Sequence, residues 1–485
     1  MGSMLTSLEW GREVPNGGDW AAHGGRLGVA GLGLWWCGLL LVWAGRKGHM
    51  NPMLHLAKLL HSKGFLITII CTHLNPSPNP SHYPEFSFEF LVGISPAELG
   101  YDSFGGDVML YLLVLNNKCK TPFRKCLLKL QKNVGSFGPV SCVVYDAVMY
   151  FSAVIADEVE IPRIVLRTSS ATTFLALSLD LNQRDLTDQE HHPEQSLSEF
   201  PLLRAKDMPV FNMSDEKAAE EVLTRIHYGT STASAVIWNS LHCLEQEMFN
   251  KAQERIVSPI YPICPSLHYN NKQKNSSFKS SYTEDESCIS WLDTQTPNSV
   301  IYVSIGSIVR IAKSELLEMA WGLANSDQPF LWVVRPGLVD GSNGLELLSN
   351  GFMEITRKWG KVVQWAPQKR VLAHKSVGGF WTHNGWNSSI ESVYEGVPMI
   401  CWPRIGDQRV NARIVGHVWK VGIEMEENLE RWKVESAIRR LMESEEGGEI
   451  RKTAVELKEK VRVSLGKGGS SWEFLGKLVD FIKFL

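Results

Sequence analysis

The most informative stretch of the sequence is Thr382-His383-Asn384-Gly385-Trp386-Asn387-Ser388. Val377–Trp381 before it reads as a buried strand, and Asn387–Glu395 after it as a helix. The first turn of a helix offers N–H groups without intrahelical partners and the positive end of the peptide dipoles, so it suits an anion. Asn387, Ser388 and His383 add side-chain donors, and together they fit a phosphate or diphosphate. Asn387 also reads as an ordinary N-cap. A second turn of this kind, Ser304-Ile305-Gly306-Ser307, follows strand Val300–Val303. Trp365-Ala366-Pro367-Gln368 leaves strand Lys361–Gln364. Trp365 is there either a platform for a stacked base or one core tryptophan among 17. Glu391, one helical turn past Asn387, can accept hydrogen bonds from ribose hydroxyls or stand as a solvated helix charge. Gly48-His49 and Asp146 occupy the exits of two further strands.

These residues need elements to place them. Leu39–Ala44 reads as a strand. Asn51 as N-cap, Pro52 at the first helical position and Gly64 past the last turn punctuate a helix, and Phe65–Cys71 is the next strand. Val140–Tyr145, a helix over Phe151–Val159, and Arg163–Leu166 with Thr168-Ser169-Ser170 at its exit continue the alternation. Asn270–Ser277 is polar and aperiodic, a loop or linker. The alternation restarts with Val300–Ser304, helix Ser314–Ala324, Phe330–Val334, Lys361–Gln364, Val377–Trp381 and Pro398–Cys401; a charged helical tail begins at Arg431. Strands alternating with helices on both sides of residue 265 imply an α/β fold of two Rossmann-like domains with parallel sheets. The expected division is a leader 1–38, a first domain 39–263, a linker 264–285 and a second domain 286–485, its last helix packing back on the first. In such sheets ligands bind beyond the carboxyl ends of the strands, which is where the polar clusters lie.

Composition narrows the chemistry. The chain has 485 residues, 44% hydrophobic and 21% charged, with a net charge of −3. That balance argues against a nucleic-acid partner. Nine scattered cysteines form no CxxC pair and read as reduced thiols. No GxGxxG follows a strand, and the sequence lacks GxxxxGK[ST], HExxH and GxSxG motifs. Nicotinamide binding, P-loop hydrolysis, zinc proteolysis and a serine-elbow hydrolase are disfavoured. His191-His192 lies in an acidic, glutamine-rich loop and reads as solvated; no metal site is expected. Sequons begin at Asn212, Asn275 and Asn387, the last inside the anion site, which fits a cytosolic protein.

Trp365–Gln408, WAPQKRVLAHKSVGGFWTHNGWNSSIESVYEGVPMICWPRIGDQ, resembles without a gap the signature box of plant secondary-product glycosyltransferases. The resemblance runs from about Gly48 to the C-terminus, through GHMNPMLHLAKLLHSKGF, VVYDAVMYFSAVIAD and SCISWLDTQTPNSVIYVSIGS. The chain is similar to plant family 1 UDP-glycosyltransferases, and its WTHNGWNS and GDQRVNAR forms look like the subgroup with benzoxazinoid, cytokinin and steviol glucosyltransferases. The resemblance implies the GT-B fold, with the donor UDP-glucose in the second domain and a small lipophilic acceptor in the first. Trp365 would stack on uracil, with Ala366 and Gln368 beside the nucleoside, and Glu391 would hold the ribose. Ser307, His383, Asn387 and Ser388 would meet the diphosphate. Trp386, Asp407 and Gln408 would face the sugar, with Thr168 reaching it from the first domain. His49 would be the general base and Asp146 its partner, in an inverting transfer to a hydroxyl, amine or carboxyl without a required cofactor or metal. A monomer is expected.

The N-terminus departs from the family pattern. About 38 unusual residues precede the first strand, and the turn into His49 is Ala44-Gly45-Arg46-Lys47-Gly48. Leu27–Gly45 is uncharged and long enough to cross a bilayer. Its glycines and the acidic Glu9, Glu13 and Asp19 ahead of it argue instead for a buried strand without stable membrane insertion. The altered turn also leaves open a homologue that binds nucleotide sugar without turnover. The acceptor is not encoded legibly; loops within 80–110 and 175–210 are expected to shape its pocket.

Overall fold

The computed structural model describes residues 38–42, 47–72, 79–93, 99, 104, 106–132, 139–183, 192–211, 213–268, 283–339, 344–348, 350–426 and 428–485. The leader before Gly38, His191, Asn212 and the polar tract 269–282 lie outside them.

Two parallel sheets organise the chain. The first has the order β3-β2-β1-β4-β5-β6-β7, from β1 (Gly38–Val42), β2 (Leu66–Cys71), β3 (Ser87–Phe90), β4 (Val140–Asp146), β5 (Arg163–Arg167), β6 (Ala235–Trp238) and β7 (Ile260–Pro262). The second has the order β10-β9-β8-β11-β12-β13, from β8 (Val300–Ser304), β9 (Phe330–Val333), β10 (Gly360–Val363), β11 (Val377–Thr382), β12 (Met399–Cys401) and β13 (Gly422–Glu424). Strand order reverses between β1 and β4 and again between β8 and β11. At such a switch point the connections leave in opposite directions and open a crevice at the carboxyl ends of the strands.

Within the apolar stretch, the described residues Gly38–Val42 form β1, an inner strand of the first sheet between β2 and β4. Leu39 and Leu41 face one side and Leu40 and Val42 the other, all at most 1% exposed. A strand buried on both faces must be continuously apolar. Burying each such side chain stabilises the fold by about 1.5–3 kcal/mol. Among the described residues, no helix is long and apolar enough to cross a membrane.

Helix α1 (Lys47–His61) differs from the sequence expectation. It begins before Asn51, so Asn51 is no N-cap and Pro52 lies inside the helix. A proline there has no N–H for the carbonyl four residues back. The Gly48 carbonyl is therefore without a helical donor from position 52, and it takes one from the other domain, the Asn387 Nδ2 at 2.8 Å.

Helix α2 (Ser470–Phe484) ends the chain and packs back on the first sheet. Its Leu475, Leu478, Val479 and Ile482 join Leu39, Leu41, Ile69 and Val144 in one apolar cluster. His268 Nε2 also meets Ser471 Oγ at 2.6 Å. A second cluster runs from Leu40, Val143 and Val165 of the first sheet to Tyr302 and Phe380 of the second, so the cleft has a continuous floor.

Candidate active site

The first switch point carries His49 and Asp146. Asp146 ends β4 with 0% exposure. One carboxyl oxygen, Oδ1, accepts the Val148 backbone N–H at 3.1 Å; the other, Oδ2, is 2.7 Å from His49 Nδ1. An ionised carboxylate only accepts, so Nδ1 carries the proton and Nε2 keeps its lone pair. Thr168 Oγ1 lies 3.0 Å from the same Nδ1. Thr168 thus contacts the imidazole and lines the cavity beside it. Arg167, one residue earlier, is buried. Loss of solvation lowers its guanidinium to about 10, against the opposing pull of Asp146, Tyr145 and Asp407.

The second switch point carries the anion-binding turn. The helix α3 (Trp386–Glu395) starts on Gly385 as N-cap, and no side chain caps it. The reading of Asn387 as N-cap is thereby corrected: it is the second residue of the helix. His383 sits between two glycines. A Cβ on Gly306, whose φ is +71°, would come within 2.4 Å of His383 Nε2, and one on Gly385 within 2.5 Å. Both positions must be glycine for the ring to fit. Burial lowers the His383 imidazole to about 4, with Arg335 adding to the shift. At neutral pH His383 is therefore uncharged. Arg335 holds the opposing turn by donating from Nε to the Gly306 carbonyl at 2.9 Å.

Gln368, Ser388 and Glu391 form one hydrogen-bonded group. Gln368 Nε2 donates to Ser388 Oγ at 3.1 Å and to Glu391 Oε2 at 2.9 Å. Trp365 is only partly buried and faces the same space, unlike the fully buried Trp238, Trp332, Trp381 and Trp402. Gln408 uses its carbonyl oxygen to accept the Arg404 and Ile405 N–H groups at 2.9 and 3.1 Å, which leaves its NH2 to the cleft. Burial pushes the Asp407 carboxyl up, while a hydrogen bond from Asn411 and the nearby His49 and Arg167 pull it down. Asp407 therefore faces the His49 side of the cleft from the opposite domain.

These residues line one cavity of about 1300 Å³. A pocket for one small ligand holds about 300–1,000 Å³, so this one has room for two. One end is lined by Trp365, Gln368, His383, Ser388, Glu391 and Ser307. The other is apolar, with Met109, Leu112, Leu177, Phe211, Leu223 and Ile226. His49, Thr168 and Asp407 line the same cavity. Leu177 and Met109 come from the expected segments. Leu223 and Ile226, on the helix Glu216–Ser231, do not; their spacing matches one helical face and is the signal that could have found them.

Two of the expected ligand residues line the cavity and also make hydrogen bonds of their own. Trp386 donates its indole N–H to the Asn239 carbonyl at 2.7 Å and packs its ring on Trp419, so no indole N–H is left for a sugar. The Asn387 amide bridges Asn239 and Gly48. Asn239 itself was missed. It follows β6, a strand of four residues, and the rule about strand exits would have singled it out had that strand been recognised.

Comparison with known proteins follows the same lines. A family model described as UDP-glucoronosyl and UDP-glucosyl transferase matches residues 107–450. UDP-glycosyltransferase 76B1 of Arabidopsis thaliana is 42% identical over 439 residues, covering 90% of this chain and 96% of that one. Flavonol 3-O-glucosyltransferase UGT76E12 of Arabidopsis thaliana is 42% identical over 449 residues, covering 90% and 95%. The structure of Os79 from O. sativa in complex with UDP matches with a TM-score of 0.78 at 26% identity, covering 92% of this chain and all of the other. Two parallel-sheet domains, each with its polar cluster at a switch point, are the GT-B arrangement, and the chain belongs to the plant family 1 UDP-glycosyltransferases, enzymes that transfer a glycosyl group.

Proposed function

We propose that the enzyme transfers glucose from UDP-glucose to a hydroxyl of a small lipophilic metabolite, with inversion at the anomeric carbon. The observation that carries this reading is the His49–Asp146 pair at 2.7 Å, opening onto the same cavity as the uncapped start of helix α3.

An acceptor hydroxyl is a weak nucleophile until its proton has somewhere to go. His49 Nε2 takes the proton while Asp146 stabilises the imidazolium that forms. The freed oxygen pair attacks the anomeric carbon from the side opposite the diphosphate. The bond from that carbon to the diphosphate oxygen breaks, and its electrons leave on UDP. One displacement turns an α-linked donor into a β-glucoside. The negative charge growing on UDP falls to the helix α3 N–H groups, Ser388, Ser307 and the neutral His383. Trp365 and Ala366 are assigned to the uracil and Glu391 to the ribose. Gln368, which already bridges Ser388 and Glu391, would lie beside the nucleoside. Asp407 and the Gln408 NH2 are assigned to the sugar.

The apolar end of the cavity supports a lipophilic acceptor, and a relative named as a flavonol 3-O-glucosyltransferase supports glucose. Incubation with UDP-glucose and a panel of phenols and terpenoid alcohols tests the reading. A β-glucoside, identified by its anomeric proton coupling, is expected. UDP-glucose binding without any glucoside across the panel, or an α-product, would overturn it.

A further inference from the structure

We propose that the Asn387 side chain is a strap between the two domains, and that with Asn239 it positions the base-bearing helix against the donor-bearing helix. This rests on the functional reading above and departs from it at one residue, which the family box would make a diphosphate ligand.

The argument starts from the hydrogen-bond polarity of two amides. Asn239, 0% exposed, follows β6. Its Oδ1 accepts the Ser266 backbone N–H at 3.2 Å and the Cys264 thiol at 3.7 Å. A backbone N–H can only donate, so this fixes oxygen on that side and turns Nδ2 the other way. Nδ2 donates to Asn387 Oδ1 at 2.9 Å. The Asn387 amide is then oriented as well, and its Nδ2 points at the Gly48 carbonyl, 2.8 Å away. That carbonyl can serve as the end of the chain because Pro52 brings it no helical N–H. Pro52 at one end and the Ser266 N–H at the other therefore dictate every donor and acceptor between them. The neighbouring residue adds a parallel tie, from the Trp386 indole N–H to the Asn239 carbonyl at 2.7 Å.

The place of this chain is as telling as its polarity. The domains also touch elsewhere, as in Arg413 to the Leu202 carbonyl and Trp419 to the Leu244 carbonyl. Those contacts lie away from α1. The Asn387–Gly48 bond joins the first turn of α3, beside the anion site, to the residue next to His49. Attack on an anomeric carbon requires the base in one domain to be held in register with a donor in the other. A misplacement of about 1 Å at such a site can cost about 10²-fold in rate. A phosphate ligand and a strap thus predict different losses.

The test uses the full chain and three variants: Asn387→Ala, Asn239→Ala and the pair. UDP affinity is measured by calorimetry, and kcat with UDP-glucose and a saturating phenol. A strap predicts UDP affinity within about threefold of the parent in Asn387→Ala, with kcat lower by about 10–100-fold. It also predicts a similar kcat loss in Asn239→Ala, which sits beyond any ligand, and a double variant no worse than either single within about threefold, since both break one chain. If Asn239→Ala does not fold, the affinity and rate of Asn387→Ala still decide. A fall of about tenfold or more in UDP affinity in Asn387→Ala, with Asn239→Ala turning over like the parent, would make Asn387 a phosphate ligand and overturn the strap. Parental kcat in Asn387→Ala would overturn it too. Failure of the parent itself to bind UDP would remove the donor site, and the strap with it.

Discussion

Replacing Asp146 by asparagine changes the enzyme by a single NH2 in place of an oxygen, yet the surrounding hydrogen bonds decide where that NH2 goes. The Val148 backbone N–H, 3.1 Å from Oδ1, requires an oxygen. The amide must therefore turn its nitrogen toward His49 Nδ1, where the carboxylate had accepted at 2.7 Å. The new NH2 donates to Nδ1, and the imidazole moves its proton to Nε2. A ring protonated there cannot take a proton from the acceptor. The expected loss is the whole general-base contribution, about 10²–10⁴-fold in kcat, or about 2.7–5.4 kcal/mol of barrier. Asp146→Ala gives a sharper comparison. It removes the partner without imposing the wrong tautomer, and Thr168 Oγ1 at 3.0 Å is still there to accept from Nδ1. The alanine variant should therefore retain more activity than the asparagine variant, although it removes more atoms. Initial rates of glucoside formation, with calorimetry showing unchanged UDP affinity in both variants, make the measurement. Asparagine activity within about threefold of the parent, or above that of alanine, would refute the tautomer argument.

His49→Ala should abolish transfer to alkyl alcohols while UDP binding survives, and the loss should be smaller for an acidic phenol, which needs less help from a base; equal rate losses for both acceptors would count against His49 as the base. Gly306→Ala places a Cβ 2.4 Å from His383 Nε2 in a left-handed backbone, so the ring must retreat. Displacing the ring from the proposed diphosphate site should weaken UDP binding by about 10–100-fold, and calorimetry showing parental affinity would remove His383 from that site. Stability should fall on acidification. His268 and His383 are held neutral by burial, their pKa lowered to about 4 from the usual 6.5, so between those pH values the unfolded chain binds more protons than the folded one. The melting temperature should drop as pH falls from 6.5 toward 4; an unchanged Tm across that window would show that neither ring is buried as described.

The proposed donor half of the site was legible because its residues lie in one contiguous stretch. Between Trp365 and Gln408 the spacing of a strand exit, a turn and a helix start brings Trp365, Gln368, His383, Ser388 and Glu391 to one wall. Local sequence rules are sufficient when a strand and the helix after it do the positioning. The acceptor half is assembled from segments far apart in the chain, as in Met109, Leu177, Phe211 and Ile226, and only the packing of helices on the first sheet brings them together. Short strands hid further parts. β6 has four residues and β13 three, too few for a period to show, and with β6 went Asn239.

A side chain at a helix start can also be engaged by the other domain, which local sequence does not show. Trp386 and Asn387 sit at a helix start in a motif suited to a ligand, and local geometry offers nothing against that use. Their side chains also bond Asn239, nearly 150 positions earlier, and the Gly48 carbonyl that Pro52 leaves without a helical donor. Pro52 shows the same effect in reverse. Read locally, it marks the beginning of a helix; inside the helix it leaves an acceptor unpaired by its own turn, and that acceptor is useful only because a second domain faces it. In a fold whose two sheets each end in a switch point, the residues at one crevice complete the hydrogen bonding of the other. If the strap holds, a substitution at the start of helix α1 or helix α3 should be judged by what it does to both.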